Sequence, residues 1–169
     1  MTGAPDPFQR AWLGAFYRAH HRALAAYAAA LTRSRDEAED LVHEALVGML
    51  AVRGSIENPE AYAYRAIRNR AFDRMRRAPL REVPGFEAGR SIDELGFSPA
   101  VASDWSALQG ALASLAPMSA EVVVLHARSG LSFPQIAAVL DEPVGTVSAR
   151  YSRALAEMRA HLSKEEQHG

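Results

Sequence analysis

The sequence predicts an all-α protein of two small helical domains joined by a flexible linker, the second domain carrying a helix-turn-helix. Three observations predict the helical class. Apolar residues recur at three- and four-residue spacing in one segment after another, helix-capping residues open those segments, and no useful run alternates with the period of a strand. A stretch rich in proline and glycine divides the periodic segments into two groups.

Asp6-Pro7 offers an N-cap and a first-turn proline, and Leu13, Phe16, Tyr17, His20, Leu24, Tyr27, Ala28 and Leu31 then form one buried face of a first helix. Ser34-Arg35-Asp36-Glu37 has the form of a capping box, opening a second helix with Ala38, Leu41, Val42, Ala45, Leu46 and Met49 on its inner face. After the break at Arg53-Gly54-Ser55, the cap Asn58 and Pro59 begin a third helix, whose Ala63, Ile67, Ala71 and Met75 recur every fourth residue to about Arg77. Pro79, Pro84, Gly85, Gly89, Gly96 and Pro99 then interrupt any period, so residues 1–78 read as one domain, 79–104 as linker and 105–169 as a second domain. Periodicity resumes with Trp105, Leu108, Leu112 and Leu115. Ser119 is expected to cap EVVVLHARSG, with Gly130 ending it in a left-handed conformation. Ser132 to Gln135 forms a second capping box before a short helix ending at Leu140. The last helix carries Val147, Tyr151, Leu155, Met158 and Leu162 on one face.

Composition excludes several kinds of chemistry. There is no cysteine, and the six histidines show no metal-ligand spacing, so no metal or other cofactor is expected. No nucleophile with a base, phosphate-binding glycine loop or paired catalytic carboxylates is visible, which argues against an enzyme. No leader and no membrane-length apolar run stands out, so the expectation is a cytoplasmic protein without membrane insertion. The net charge of -1 hides segregation: acids dominate Asp36 to Glu44, whereas Arg65, Arg68, Arg70, Arg74, Arg76, Arg77 and Arg81 follow with Asp73 as the one acid among them. Such a basic stretch suits a polyanionic partner.

In the last helix, Thr146, Ala149, Arg150 and Arg153 lie opposite the apolar stripe. Short side chains let a helix enter a groove about 12 Å wide, and arginine offers two donors to guanine. Periodicity alone fits an ordinary amphipathic helix with a solvated polar face equally well.

The motifs add a resemblance. GLSFPQIAAVLDEPVGTVSARYSRAL resembles the helix-turn-helix of extracytoplasmic-function sigma factors of the sigma-70 family, through Gly130, Ser132, Ile136, Ala137, Leu140, Gly145, Thr146, Val147, Arg150, Arg153 and Ala154. It departs at Gln135, where glutamate is usual, at Asp141, where the turn usually has glycine, and at Ala149, which replaces serine. Aspartate enters the left-handed region at modest cost, so the turn is compatible with this sequence. Upstream, AEDLVHEALVGML and ENPEAYAYRAIRNRAFDRMRR resemble the family's docking and promoter-melting helices, keeping Asn58, Pro59, Ala61, Asn69, Asp73, Arg76 and Arg77.

The resemblance implies a sigma factor that binds bacterial RNA polymerase core, through the β′ clamp and the β flap, and directs promoter recognition, DNA melting and initiation. Asp40, Leu41, His43, Glu44 and Val47 would bind polymerase. Tyr62, Arg65, Arg68, Asn69, Arg76 and Arg77, with the loop Gly54 to Glu57, would handle the minus-ten element, and Thr146, Ser148, Ala149, Arg150 and Arg153 the minus-thirty-five element. Phe72 and Tyr64 read as core or as base-stacking surface, with core preferred for Phe72, and Asn69 with Asp73 reads equally as a local pair. An anti-sigma partner is an implied companion. The acidic linker residues Glu82, Glu87, Asp93 and Glu94 fit a path near the RNA exit or a plain solvated tether. The competing reading is a stand-alone helix-turn-helix regulator, which leaves the N-terminal motifs without a purpose.

Overall fold

Helix α1 (Pro7–Thr32) begins where the Asp6 carboxylate accepts the Phe8 amide at 3.2 Å, in the computed structural model that describes residues 6–32, 34–78, 86–87 and 102–168. Ser34 caps α2 (Arg35–Ala51) by accepting the Glu37 amide at 3.3 Å, and its own N–H donates to Thr32 Oγ1 at 3.4 Å. Asn58 caps α3 (Pro59–Arg77), with Ala61 N–H donating to Oδ1 at 2.8 Å. These three helices pack on one another around Leu24, Leu31, Leu41, Val42 and Ile67, each at most 1% exposed. Tyr17, expected inside, is 43% exposed and rests on His21 with ring centroids 4.5 Å apart. Phe16 is the buried aromatic of the first half of α1.

The second half contains α4 (Ala102–Ala113), α5 (Pro117–Val123), α6 (Phe133–Leu140) and α7 (Val144–His168). The expected segment 79–104 lies outside the described residues except for Phe86, Glu87 and the start of α4, and so does the Trp105 side chain. Helix α5 starts two residues before the expected cap at Ser119. Pro117 occupies the first turn and fixes a helical φ, so Ser119 sits inside the helix. From Val124 to Arg128 the helix widens into a π turn, and Gly130 at φ +70 redirects the chain toward α6. The second capping box forms as expected: Gln135 N–H donates to Ser132 Oγ at 3.3 Å and Ser132 N–H to Gln135 Oε1 at 2.7 Å.

The halves pack together rather than standing apart. Helix α3 lies against α6, and buried residues of both halves join in one apolar cluster. Phe86 of the connecting segment is buried against Tyr27 with ring centroids 5.7 Å apart, and Glu87 N–H donates to Ala30 O at 2.9 Å. Tyr27 meets Tyr64 edge-on at 5.1 Å, which settles Tyr64 as core.

Burial pushes the Tyr64 phenol up to about 12, with Glu60 adding to the rise while the Ser129 hydrogen bond and Arg128 oppose it. Burial, then the Glu121 charge and hydrogen bond, raises Tyr27 well above 10.0. An unfolded tyrosine ionises near 10.0 while both folded phenols stay neutral, so their contribution is complete below that pH. It is lost as pH rises from about 10 toward about 12. Urea titrations at stepped alkaline pH are expected to show falling stability across this window, with the share of tyrosinate absorbance that belongs to Tyr27 and Tyr64 appearing only with unfolding.

Candidate nucleic-acid interface

Helices α6 and α7 meet through a turn closed by Asp141 in the left-handed conformation, φ 56 and ψ 47, as its place in the motif requires. Glu142 N–H donates to Ala137 O at 3.1 Å, closing the C-terminus of one helix, and Pro143 O accepts Thr146 N–H at 3.0 Å, opening the next. Val147, Ala154 and Met158 are buried, and Tyr151 packs on His126 and Phe133 with centroids 4.7 and 5.4 Å away. That packing turns Thr146, Ala149, Ser152 and Arg153 outward. Ser148 is half-buried, its hydroxyl donating to Gly145 O at 3.2 Å. Arg150 points back to the turn instead. Its two terminal nitrogens donate to the two oxygens of Glu142, one of them at 3.2 Å, with the side chains 17% and 21% exposed. Bidentate geometry and partial burial make this pair a clasp across the helix-turn-helix.

On α2, Asp40, His43, Glu44 and Val47 face outward, Val47 being 51% exposed. Leu41, grouped with them from the motif, is 0% exposed and belongs to the core, because it falls on the stripe that faces α1 and α3. Glu44 is engaged by α3, with Arg74 at 2.5 Å and Arg70 at 3.7 Å. Gly48 admits this arrangement: a Cβ there would come within 3.0 Å of Arg70 Nη2.

Helix α3 presents two different faces. Arg65, Asn69, Arg76 and Arg77 are exposed, and Arg76 pairs with Asp73, so Asp73 is taken by an arginine rather than by Asn69. Tyr62 is half-buried and reaches toward Gly48 of α2. At the start of the helix, Phe8, Trp12, Met49, Ile56 and Pro59 line an open cleft of about 290 Å³ beside the loop at Gly54 and Ser55. Phe8 is 78% exposed at its rim.

The other face of α3 turns into the molecule. Arg68 lies over the Phe72 ring at 4.7 Å, and its Nε donates to Glu121 Oε1 at 2.9 Å. Tyr27 donates to the same oxygen at 2.6 Å. Glu121, on α5, is 2% exposed and is the one buried charged residue among the described residues. Burial disfavours the Arg68 charge, but the Glu121 carboxylate outweighs it and holds the guanidinium pKa above its ordinary value. Glu121, Glu142 and Ser152 did not emerge from sequence reasoning. The available signals were a lone acid inside the apolar run EVVVL and an acid two turns before Arg150, neither of which identifies its partner.

With this geometry in view, comparison with known proteins is informative. The sigma-70 region 2 family model matches residues 16–79, and the sigma-70 region 4 family model matches residues 105–158. The extracytoplasmic-function RNA polymerase sigma factor EcfG of Rhodopseudomonas palustris is 30% identical over 144 residues, covering 82% of this chain and 78% of the relative. The sigma factor RpoE of Bartonella quintana, solved with the anti-sigma factor NepR, superposes with a TM-score of 0.58 at 26% identity, covering 88% of this chain and 97% of that one. CnrH, solved with the cytosolic domain of CnrY, gives 0.57 at 26% identity over 92% and 90% of the two chains. The chain belongs to the sigma-70 family of transcription initiation factors, in its extracytoplasmic-function branch. Among the described residues no helix is long and apolar enough to cross a membrane.

The Arg150–Glu142 clasp makes a stability prediction. Arg150→Ala and Glu142→Ala are each expected to lower unfolding free energy by about 1–2 kcal/mol, since each leaves a partly buried charge without its partner. The double variant is expected to cost less than the sum, by at least about 0.5 kcal/mol in a denaturation double-mutant cycle. Additive losses would mean that the pair contributes no coupling.

Proposed function

We propose that this chain binds bacterial RNA polymerase core through α2, opens promoter DNA with α3 and the cleft beside it, and reads the minus-thirty-five element with α7. The observation that carries the reading is the coexistence in one chain of both matched regions, each with an outward face of suitable chemistry. A stand-alone regulator needs only the second. The reading involves no catalysis by the chain itself and places its action in the cytoplasm, where core polymerase and promoters meet.

The docking face consists of Asp40, His43 and Val47 with Glu44 at its edge, an acidic surface around an exposed apolar side chain. Such a surface suits basic residues on the β′ clamp, with region 4 directed to the β flap. On α3, Arg65, Asn69, Arg76 and Arg77 supply cations and a polar group for a separated strand. Phe8 and Trp12 offer aromatic surfaces at the cleft for an unstacked base. On α7, Thr146, Ala149, Ser152 and Arg153 form the groove-facing surface, Ser148 lies at its margin, and Arg150 acts through the Glu142 clasp. The similar RpoE structure was solved with the anti-sigma factor NepR, which supports an anti-sigma partner for this chain as well.

Run-off transcription with core polymerase on fragments of the source genome is expected to give specific starts only when the protein is added. Protein that binds duplex DNA alone but neither binds core nor supports initiation would favour the stand-alone regulator. For docking, Asp40→Lys with Val47→Ala is expected to weaken core binding at least about tenfold while stability stays within about 0.5 kcal/mol. Leu41→Ala is expected to cost about 2–5 kcal/mol of stability through a core cavity. Binding measured beside thermal unfolding separates the two effects, and unchanged core affinity in the folded surface variant would remove α2 from the docking assignment.

A further inference from the structure

The outward face of α7 is short in reach and largely apolar where the helix begins. Val144, its first residue, is 44% exposed, and Gly145, Thr146 and Ala149 follow at exposed positions. In a helix-turn-helix the N-terminal residues of the second helix come nearest the base edges, so these side chains decide what the helix recognises. Arg153, one turn beyond Ala149, is exposed and supplies a cation further along the same face.

Two side chains that could donate to a base are already engaged. Arg150 gives both terminal nitrogens to the oxygens of Glu142, the same pair of donors that would meet O6 and N7 of guanine. Ser148 Oγ donates to Gly145 O at 3.2 Å, inside its own helix. The exposed positions that remain offer methyl groups: the γ-methyl of Thr146, beside its hydroxyl, and the β-methyl of Ala149. In the major groove such groups have one counterpart, the C5-methyl of thymine, which alanine and threonine methyls meet by apolar contact. Three residues separate Thr146 from Ala149, about 4.5 Å of helix at 1.5 Å per residue. That is close to the base-pair step of about 3.4 Å, so the two methyls match neighbouring base pairs.

We infer that Thr146 and Ala149 determine specificity by contacting the C5-methyl groups of thymines on neighbouring base pairs of the minus-thirty-five element. This inference rests on the reading of α7 as the helix for that element. Arg150 is then a positioning residue, spent on the turn through Glu142, and the bases under the first turns of α7 are sorted by a methyl group rather than by a bidentate hydrogen bond. One buried methyl is worth about a fourfold change in affinity, less than a bidentate arginine contact to guanine. Discrimination at this end of the helix is therefore a sum of modest apolar contacts, and it responds to removal of a single carbon from the DNA.

The test uses the full chain with core polymerase on a promoter mapped by run-off transcription. Each thymine of the minus-thirty-five element is replaced in turn by deoxyuridine, which keeps the pairing edge and lacks only the C5-methyl, and affinity is measured by competition. Replacement at two neighbouring base pairs is expected to weaken binding about fourfold each, and replacement between the two elements to change nothing. Thr146→Ser, which removes the methyl and keeps the hydroxyl, is expected to abolish the thymine preference at one of the two positions and leave the other intact. Ala149→Ser, which puts a hydroxyl on the same carbon, is expected to do the reverse. Thermal unfolding confirms that each variant is folded, and the deoxyuridine series on the unaltered protein remains decisive where one is not. Equal affinity for thymine and deoxyuridine throughout the element, or an element without thymine, overturns the inference. A thymine preference that both folded variants retain in full overturns the assignment to Thr146 and Ala149. If scrambling the whole element leaves affinity unchanged, α7 does not read it, and the reading on which the inference rests fails first.

Discussion

A single buried carboxylate organises the contact between the halves. Glu121 is almost wholly removed from water, and one of its oxygens accepts from both Tyr27 and Arg68, donors on two different helices of the other half. Desolvating a carboxylate costs several kcal/mol, so Glu121 is tolerable inside only while those donors stand where they do. An apolar residue at the same place would accept many orientations of α5 against α1 and α3. The carboxylate accepts few, so it selects an arrangement at the same time as it stabilises it. Because each bond would be exchanged for water if the halves parted, the net preference for the packed arrangement is far smaller than the geometry suggests.

The same division between core and reading surface recurs within each half. In the second half, the π turn, Gly130 and left-handed Asp141 set the angles at which α5, α6 and α7 meet, and the aromatic packing of His126, Phe133 and Tyr151 fills the space between them. The short and polar side chains of α7 then face outward without distorting the core. The Glu142–Arg150 pair reinforces the turn from its exposed edge. In the first half, the acid Glu44 ties α2 to the arginines of α3, which keeps a strongly basic helix beside a strongly acidic one without exposing every charge.

Much of this was legible beforehand for a clear reason. Caps and periodicity are local: Ser132 and Gln135 lie three residues apart, and Asn58 needs only the amide of Ala61, so their bonds follow from spacing along one helix turn. The helix stripes identified the core for the same reason, and the family motifs carried the two regions and their order. Ser119 was misassigned because Pro117 starts a helix as readily as serine caps one. Tyr17 lies exposed because a periodic stripe shows which residues share a helix face and not which of them a neighbouring helix covers.

The sequence by itself determined the all-α class, the principal helices and the polar faces of α2, α3 and α7, because each depends on residues within a few positions of one another. It left open which of those polar residues remain available. Arg68 and Arg150 have the same chemistry as Arg65 and Arg153, yet the first two are held by Glu121 and Glu142 while the latter two face solvent. Only tertiary structure decided that, since the partner of Arg68 stands 53 residues away and meets it solely because two helices from different halves come into contact. A charge pattern specifies what a side chain is able to bind, and packing specifies what it is already bound to.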